Sequence, residues 1–287
     1  MTRAGTLSIV ATPIGNLGDF SPRAAQTLAA ADIIACEDTR VTNKLLRLTG
    51  TSVLGKIVAY HDHNGAKMRP YLIERITHGD HVALVSDAGT PLISDPGYKL
   101  VAACREQGLR VTTTPGPSAT IAALTISGLP SDRFLFAGFV PTPQKARDSL
   151  FAEMASLSAT SIWFDTPSRL VRTLSDMATI FGNRQACVTR ELTKLHEEAL
   201  HGSLEDLATD LQARPPMKGE VVIVVAGRDT GDAVIDDHAL AGMLRAEMDG
   251  QRLRDAVASV VSATGIAKNR VYKMALEIAK QDSGGAD

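Results

Sequence analysis

The 287-residue chain has only three cysteines, Cys36, Cys104 and Cys187, none in CxxC spacing. That scarcity excludes a disulfide framework and a zinc cluster, and predicts free buried thiols in a reducing compartment. No apolar run is long: Leu7 to Ala11 is cut by Pro13 and Gly15, too short for a signal-peptide core or a membrane span. A cytoplasmic protein without a membrane partner is expected. Charge of one sign is missing too, with 30 Lys and Arg against 32 Asp and Glu. Generic coating of nucleic acid is therefore excluded, no DNA partner is expected, and any RNA contact must come from a local patch.

Two familiar phosphate sites are absent. No GxGxxG follows the first apolar run, so the standard dinucleotide fingerprint is missing. Gly50-Thr51-Ser52-Val53-Leu54-Gly55-Lys56 mimics a phosphate loop, but Ile57 stands where the magnesium-binding hydroxyl belongs, and the segment precedes a strand instead of following one.

What the sequence does contain is a series of loops at strand ends. Short β-type runs at Leu7–Val10, Ile33–Cys36, Lys56–Tyr60, His81–Val85 and Leu109–Thr112 alternate with amphipathic stretches, predicting crossover units and a mainly parallel sheet. Ser21 as N-cap with Pro22 behind it marks the first helix. The run at His81–Val85 delivers Asp87 and Asp95 into a loop of small residues and prolines, and helical pattern resumes near Tyr98. Similar Gly/Pro loops are Thr12 to Asp19 and Thr114 to Thr120, the latter leading into a helix from Ile121 to Ser127. Three such loops at the ends of strands in one sheet can line a single crevice. Lacking a metal cluster and a phosphate cradle, that crevice suits a cationic or zwitterionic small molecule, of which a sulfonium methyl donor is one.

Beyond a linker at Leu129–Asp132, apolar runs at Phe134–Phe139, Ser161–Phe164, Ala186–Thr189 and Val221–Val225 predict a second α/β domain. After the polar turn Arg228 to Asp232, Leu253, Ala256, Val257, Val260 and Val261 share one helical stripe. Gly265 breaks it, and Val271, Ala275 and Ile278 begin another. Between Gln251 and Lys280 six basic residues face two acidic ones, compatible with a nucleic-acid-binding helical hairpin or with a solvated helix face. The expected domains are 1–113, 114–228 and 229–287.

The ordered motifs Thr12-Pro13-Ile14-Gly15-Asn16-Leu17-Gly18-Asp19, Glu37-Asp38-Thr39-Arg40, His61-Asp62-His63-Asn64, Ser86 to Gly97, Pro115-Gly116-Pro117-Ser118 and Gly128 to Phe134 carry a resemblance that runs almost the whole chain. Arg190 to Lys194, Lys218-Gly219-Glu220 and Lys268 to Tyr272 extend it. The chain resembles the small-subunit (16S) ribosomal RNA (cytidine-2′-O)-methyltransferase family within the tetrapyrrole methylase superfamily. One departure is Phe164-Asp165-Thr166-Pro167-Ser168-Arg169, where the family usually has Tyr-Glu-Ser and a His before the Arg.

The resemblance implies a class III methyltransferase fold: two α/β domains with S-adenosyl-L-methionine in the cleft between them, plus a C-terminal helical domain, usually as a homodimer. Pro13, Gly15 and Leu17 would form one wall of the donor site, Asp87, Gly89 and Thr90 another, and Ser118, Ala119 and Phe164 the rest. The acceptor would be a cytidine ribose in the decoding region of small-subunit ribosomal RNA. His61, His63 and Asp38 are the candidates for the base at its hydroxyl, and Arg40, Lys268, Arg270 and Lys273 for RNA contact. Alternatives are a precorrin-type tetrapyrrole methylase and a non-catalytic RNA-binding assembly factor.

Overall fold

The computed structural model describes residues 5–229, 237–264, 266 and 268–283, in two compact units divided between Arg228 and Asp229. The first unit opens with β1 (Thr6–Val10), α1 (Pro22–Ala29), β2 (Ile33–Cys36), α2 (Thr39–Leu48), β3 (Lys56–Ala59), α3 (Gly65–Thr77), β4 (His81–Val85), α4 (Tyr98–Glu106) and β5 (Arg110–Thr114). These strands form one all-parallel sheet in the order β3-β2-β4-β1-β5. Their apolar runs are covered on both faces, as parallel strands require. Leu7, Ile33 and Val82 pack against Leu72, Ile76 and Leu100 of α3 and α4. Val10, Ile34 and Ala83 pack against Ala24 and Leu28 of α1.

The Ser21 hydroxyl accepts the Ala24 N–H at 3.0 Å, and Pro22 opens α1. Several strand limits differ from expectation: β1 begins one residue early, at Thr6, β3 stops at Ala59, and β5 begins at Arg110 and runs on to Thr114, because Thr112 to Thr114 continue the pairing with Ser8 to Val10.

The chain continues through α5 (Ala119–Ile126), β6 (Phe134–Phe139), α6 (Gln144–Met154), β7 (Thr160–Asp165), α7 (Leu170–Phe181), β8 (Gln185–Arg190), β9 (Glu198–Ser203), α8 (Leu204–Ala213) and β10 (Val221–Val225). α5 starts two residues before the expected Ile121 and ends at Ile126. The second sheet has the order β6-β7-β10-β8-β9, with β6 and β7 parallel and the remaining pairs antiparallel. Because β10 runs against β7, its first residue, Val221, lies opposite the last of β7, Asp165. Phe151, Trp163, Leu174 and Phe181 fill one face. On the other face Ala123 and Leu124 of α5 join Ile162, Val222 and Ile14, so the loop after β1 is built into the second sheet's core.

The C-terminal unit consists of α9 (Asp237–Met248), α10 (Leu253–Thr264) and α11 (Lys268–Ser283). Val257, Val260, Val271, Ala275 and Ile278, from the two expected stripes, pack with Leu240 and Leu244 of α9, a helix the sequence pattern did not reveal. Gly265, Gly231 and Asp232 lie outside the described residues. Among the described residues no helix is long and apolar enough to cross a membrane.

Candidate functional site

β1 lies between β4 and β5, so the loops leaving these strands diverge at the carboxyl edge of the sheet, where open α/β folds bind ligands. Hydrogen bonds stitch the three loops together. Thr12 and Gly89 exchange backbone bonds of 2.8 and 3.1 Å, and the Thr90 hydroxyl donates to the Pro117 carbonyl at 2.9 Å. Gly89 has φ +77°, and a Cβ there would stand 3.3 Å from Ile14 Cγ2. Leu92 and Ser94 also sit at positive φ, 76° and 63°, backbone strain of a kind that clusters at ligand sites.

Between these loops and the second sheet lies a cavity of about 260 Å³. Ile14, Asp87 to Thr90, Ile93 to Asp95 and Ser118 to Thr120 line it from the first-sheet side, and Phe139, Phe164, Asp165 and Glu220 to Val222 from the second. Six of the nine residues expected at the donor site are therefore together: Asp87, Gly89, Thr90, Ser118, Ala119 and Phe164. Pro13, Gly15 and Leu17 are not in the lining, where Ile14 stands instead. Gly15 faces away toward Lys194, whose Cγ would be 2.4 Å from an added Cβ, and Leu17 is exposed in a 3-10 turn.

The two sides differ in charge. On the second-sheet side, Asp165 is paired with Arg169 and accepts the Thr173 hydroxyl at 2.6 Å, and Glu220 is paired with Lys194 at 3.1 Å. On the first-sheet side Asp87 and Asp95 have no ion-pair partner among the described residues. Burial pushes the Asp95 carboxyl up to about 6, with the nearby Glu37 and Asp87 charges adding and the Ser86 hydroxyl opposing. Burial also raises Asp87. An anionic wall of this kind, with Asp95 half-buried and Asp87 exposed, favours a cationic ligand. The Thr120 hydroxyl, in a residue only 4% exposed, is buried without a hydrogen-bond partner. That orphaned group fits a ligand carrying hydrogen-bonding atoms.

The base candidates lie beside the cavity and outside its lining. Asp38 caps α2, and its carboxylate is gripped by the Arg40 guanidinium at 2.6 Å. Arg40 side-chain and backbone bonds pull the Asp38 carboxyl down to about 2, making it a weak proton acceptor. The His61 backbone N–H donates to Asn64 Oδ1 at 2.9 Å, and its ring lies edge-on to His63, centroids 5.9 Å apart. His61 Nδ1 is buried without a partner. Burial raises the Glu37 carboxyl, with the Asp87 and Asp62 charges adding.

In the C-terminal unit Lys268, Arg270 and Lys273 are exposed along the first turns of α11, Arg270 being paired with Asp237 at 2.8 Å. Sequence reading did not single out Ile14, Thr120, Phe139 or Glu220 for the site; Phe139 and Glu220 belong to the second-sheet side, where only tertiary placement makes them neighbours of the first-sheet loops.

A parallel sheet and a mixed sheet, each covered by helices and together enclosing a cleft with an anionic wall, define a tetrapyrrole methylase-type protein. Residues 6–208 match the family described as Tetrapyrrole (Corrin/Porphyrin) Methylases, and residues 234–279 match the RsmI C-terminal HTH domain. Solved structures share the fold at low identity. Uroporphyrin-III-C-methyltransferase from Thermus thermophilus aligns at TM-score 0.53 and 19% identity, over 77% of this chain and 94% of that one. A diphthine synthase aligns at TM-score 0.56 and 17% identity, over 77% and 90%.

Curated relatives are much more similar. Proteins named ribosomal RNA small subunit methyltransferase I are 45% identical in Mesorhizobium japonicum (98% of this chain, 94% of the relative), 44% in Vibrio cholerae (96% and 95%) and 41% in Mycobacterium tuberculosis (99% of each). The chain belongs to the ribosomal RNA small subunit methyltransferase I family.

Proposed function

We propose that the protein transfers a methyl group from S-adenosyl-L-methionine to the ribose 2′-hydroxyl of a cytidine in the decoding region of 16S ribosomal RNA. The observation that carries the donor assignment is the polarity of the cavity. The unpaired carboxylates Asp87 and Asp95 face the Phe164 ring, with the orphaned Thr120 hydroxyl beside them. This suits a ligand with a cationic centre and an aromatic base. Family membership supports the RNA acceptor.

When bound, the donor would supply an electrophilic methyl on sulfonium sulfur, which would keep the carbon–sulfur bonding pair as the carbon–oxygen bond forms, and the hydroxyl proton would pass to a base of this chain. The residues of this chain do the positioning. Asp87, Gly89, Thr90, Ser118, Ala119 and Phe164 hold the donor, with Pro13, Gly15 and Leu17 shaping the loop behind Ile14. Orientation alone can account for roughly 7–11 kcal/mol of barrier reduction. Among the base candidates, His61 and His63 are better suited than Asp38, whose carboxylate is committed to Arg40. Arg40, Lys268, Arg270 and Lys273 contact RNA phosphates.

Residues 1–113 and 114–228 serve as the donor-binding domains and 229–287 as the RNA-binding domain of a cytoplasmic homodimer.

The test is methyl transfer from radiolabelled donor to purified small ribosomal subunits lacking the modification, followed by nucleoside analysis. Labelled 2′-O-methylcytidine is expected. Donor binding without transfer to the subunit, or transfer to a tetrapyrrole, would overturn the acceptor assignment.

A further inference from the structure

Phe139 ends β6 with 56% of its surface exposed, yet its ring faces the cavity. Side chains along a strand alternate between faces, so Phe136 and Phe139, three residues apart, belong on opposite sides of the sheet. Here they share one. Both rings meet Phe164 edge-on, with centroids 4.8 and 5.3 Å away.

The cause is a β-bulge. Phe136 pairs with Ile162 and Gly138 with Trp163, which leaves Ala137 as an extra residue and restores pairing at Phe139 and Phe164. Gly138 takes φ +76° to allow it. Bulges next to active sites re-aim side chains, and this one turns an aromatic ring out of the ordinary alternation to the rim of the cleft. Ser94, itself at positive φ, faces Gly138 from the other loop, its Oγ 3.9 Å from where a Cβ would lie.

The cavity volume of about 260 Å³ lies just below the usual range for small-molecule sites, roughly 300–1,000 Å³, so it has no room for a second ligand beside the donor. A nucleotide delivered to that donor must keep its base at the rim. Single-stranded RNA is recognised by unstacking bases onto exposed aromatic rings. We infer that Phe139, aimed by the Ala137–Gly138 bulge, is the stacking platform for the unstacked pyrimidine base of the acceptor nucleotide. Phe164, deeper and half-buried, belongs to the donor. The inference rests on the RNA-methyltransferase reading above.

The experiment compares wild type, Phe139→Ala and Phe139→Trp in methyl transfer to small ribosomal subunits lacking the modification, with donor affinity measured separately by calorimetry. Loss of one stacked base predicts a rise in KM for the subunit on the order of 5- to 100-fold in Phe139→Ala. Donor affinity should stay within about twofold, and Phe139→Trp should restore KM. Donor affinity falling in parallel with KM would assign the ring to the donor and overturn the inference, as would an unchanged KM. A wild type that binds donor but leaves subunits unlabelled would instead overturn the acceptor assignment, and this inference with it. Preserved donor binding in Phe139→Ala also reports that the variant is folded.

Discussion

The backbone N–H of Asp38 donates to the Asp87 carboxylate across 3.0 Å. This bond ties the loop after β2 to the loop after β4, and the carboxylate at the cavity wall is oriented by main chain instead of by a basic side chain. Its charge is left for a ligand.

Asp87→Ala removes both that charge and the acceptor for Asp38, whereas Asp87→Asn keeps an acceptor and loses only the charge. A charge-assisted contact contributes about 1.5–3 kcal/mol, so calorimetry should show donor affinity falling on the order of 10- to 100-fold in the alanine variant and less in the asparagine variant. Equal donor affinity in all three proteins would remove Asp87 from the site.

Gly89 combines φ +77° with Ile14 Cγ2 3.3 Å from an added Cβ. Gly50 has a similar φ, +65°, and open space around it. Alanine at either position costs about 1–2 kcal/mol of backbone strain, read from urea midpoints. Gly89→Ala alone should also weaken donor binding, because it displaces Ile14 from the cavity wall.

Strands β2, β4, β6 and β10 are legible in the sequence to the residue, because each is an unbroken apolar or aromatic run between polar turns. β9, Glu198–Ser203, is not: an edge strand, it offers only Ala199 and Leu200, one on each face, as core signals. Asp87 to Thr90 alone could have been an ordinary surface turn, for which Asp, Gly and Pro are common; what made the segment readable was its recurrence, three such loops following strands of one sheet. Phe139 was not, since its orientation depends on a bulge that a stretch reading Phe-Leu-Phe-Ala-Gly-Phe does not announce. Ile14 was hidden for the opposite reason: flanked by Pro13 and Gly15, it drew less notice than its neighbours although it is the residue that points inward.

Asp95 makes stability fall with rising pH. Its folded value of about 6 lies above the ordinary 3.8, so between roughly pH 4 and pH 6 the folded state binds more protons than the unfolded one, and stability is lost as pH rises through that window. Asp38 acts in the opposite sense: held near 2 by Arg40, it contributes stability above its unfolded value that is lost as pH falls toward 2. Asp95→Asn removes only the first dependence. Thermal midpoints of the donor-free protein should show the variant gaining on wild type between pH 4 and pH 7; a constant difference would mean that Asp95 titrates normally.

Of the basic residues on α11, Arg270 is tied to Asp237 at 2.8 Å, whereas the exposed Lys268 and Lys273 are in no ion pair among the described residues. A lysine that neutralises one RNA phosphate adds about 0.7–0.9 to the slope of log affinity against log salt. Lys268→Ala with Lys273→Ala should therefore weaken binding to small ribosomal subunits and flatten that slope by about 1.5, leaving donor affinity unchanged. Arg270→Ala combines loss of a phosphate contact with loss of an exposed ion pair, typically worth less than about 1 kcal/mol, so its slope should change by no more than one contact's share. If the double lysine variant kept the wild-type slope, the α11 lysines would be a solvated face, and the RNA contacts would have to be sought at Arg40 and along the cavity rim.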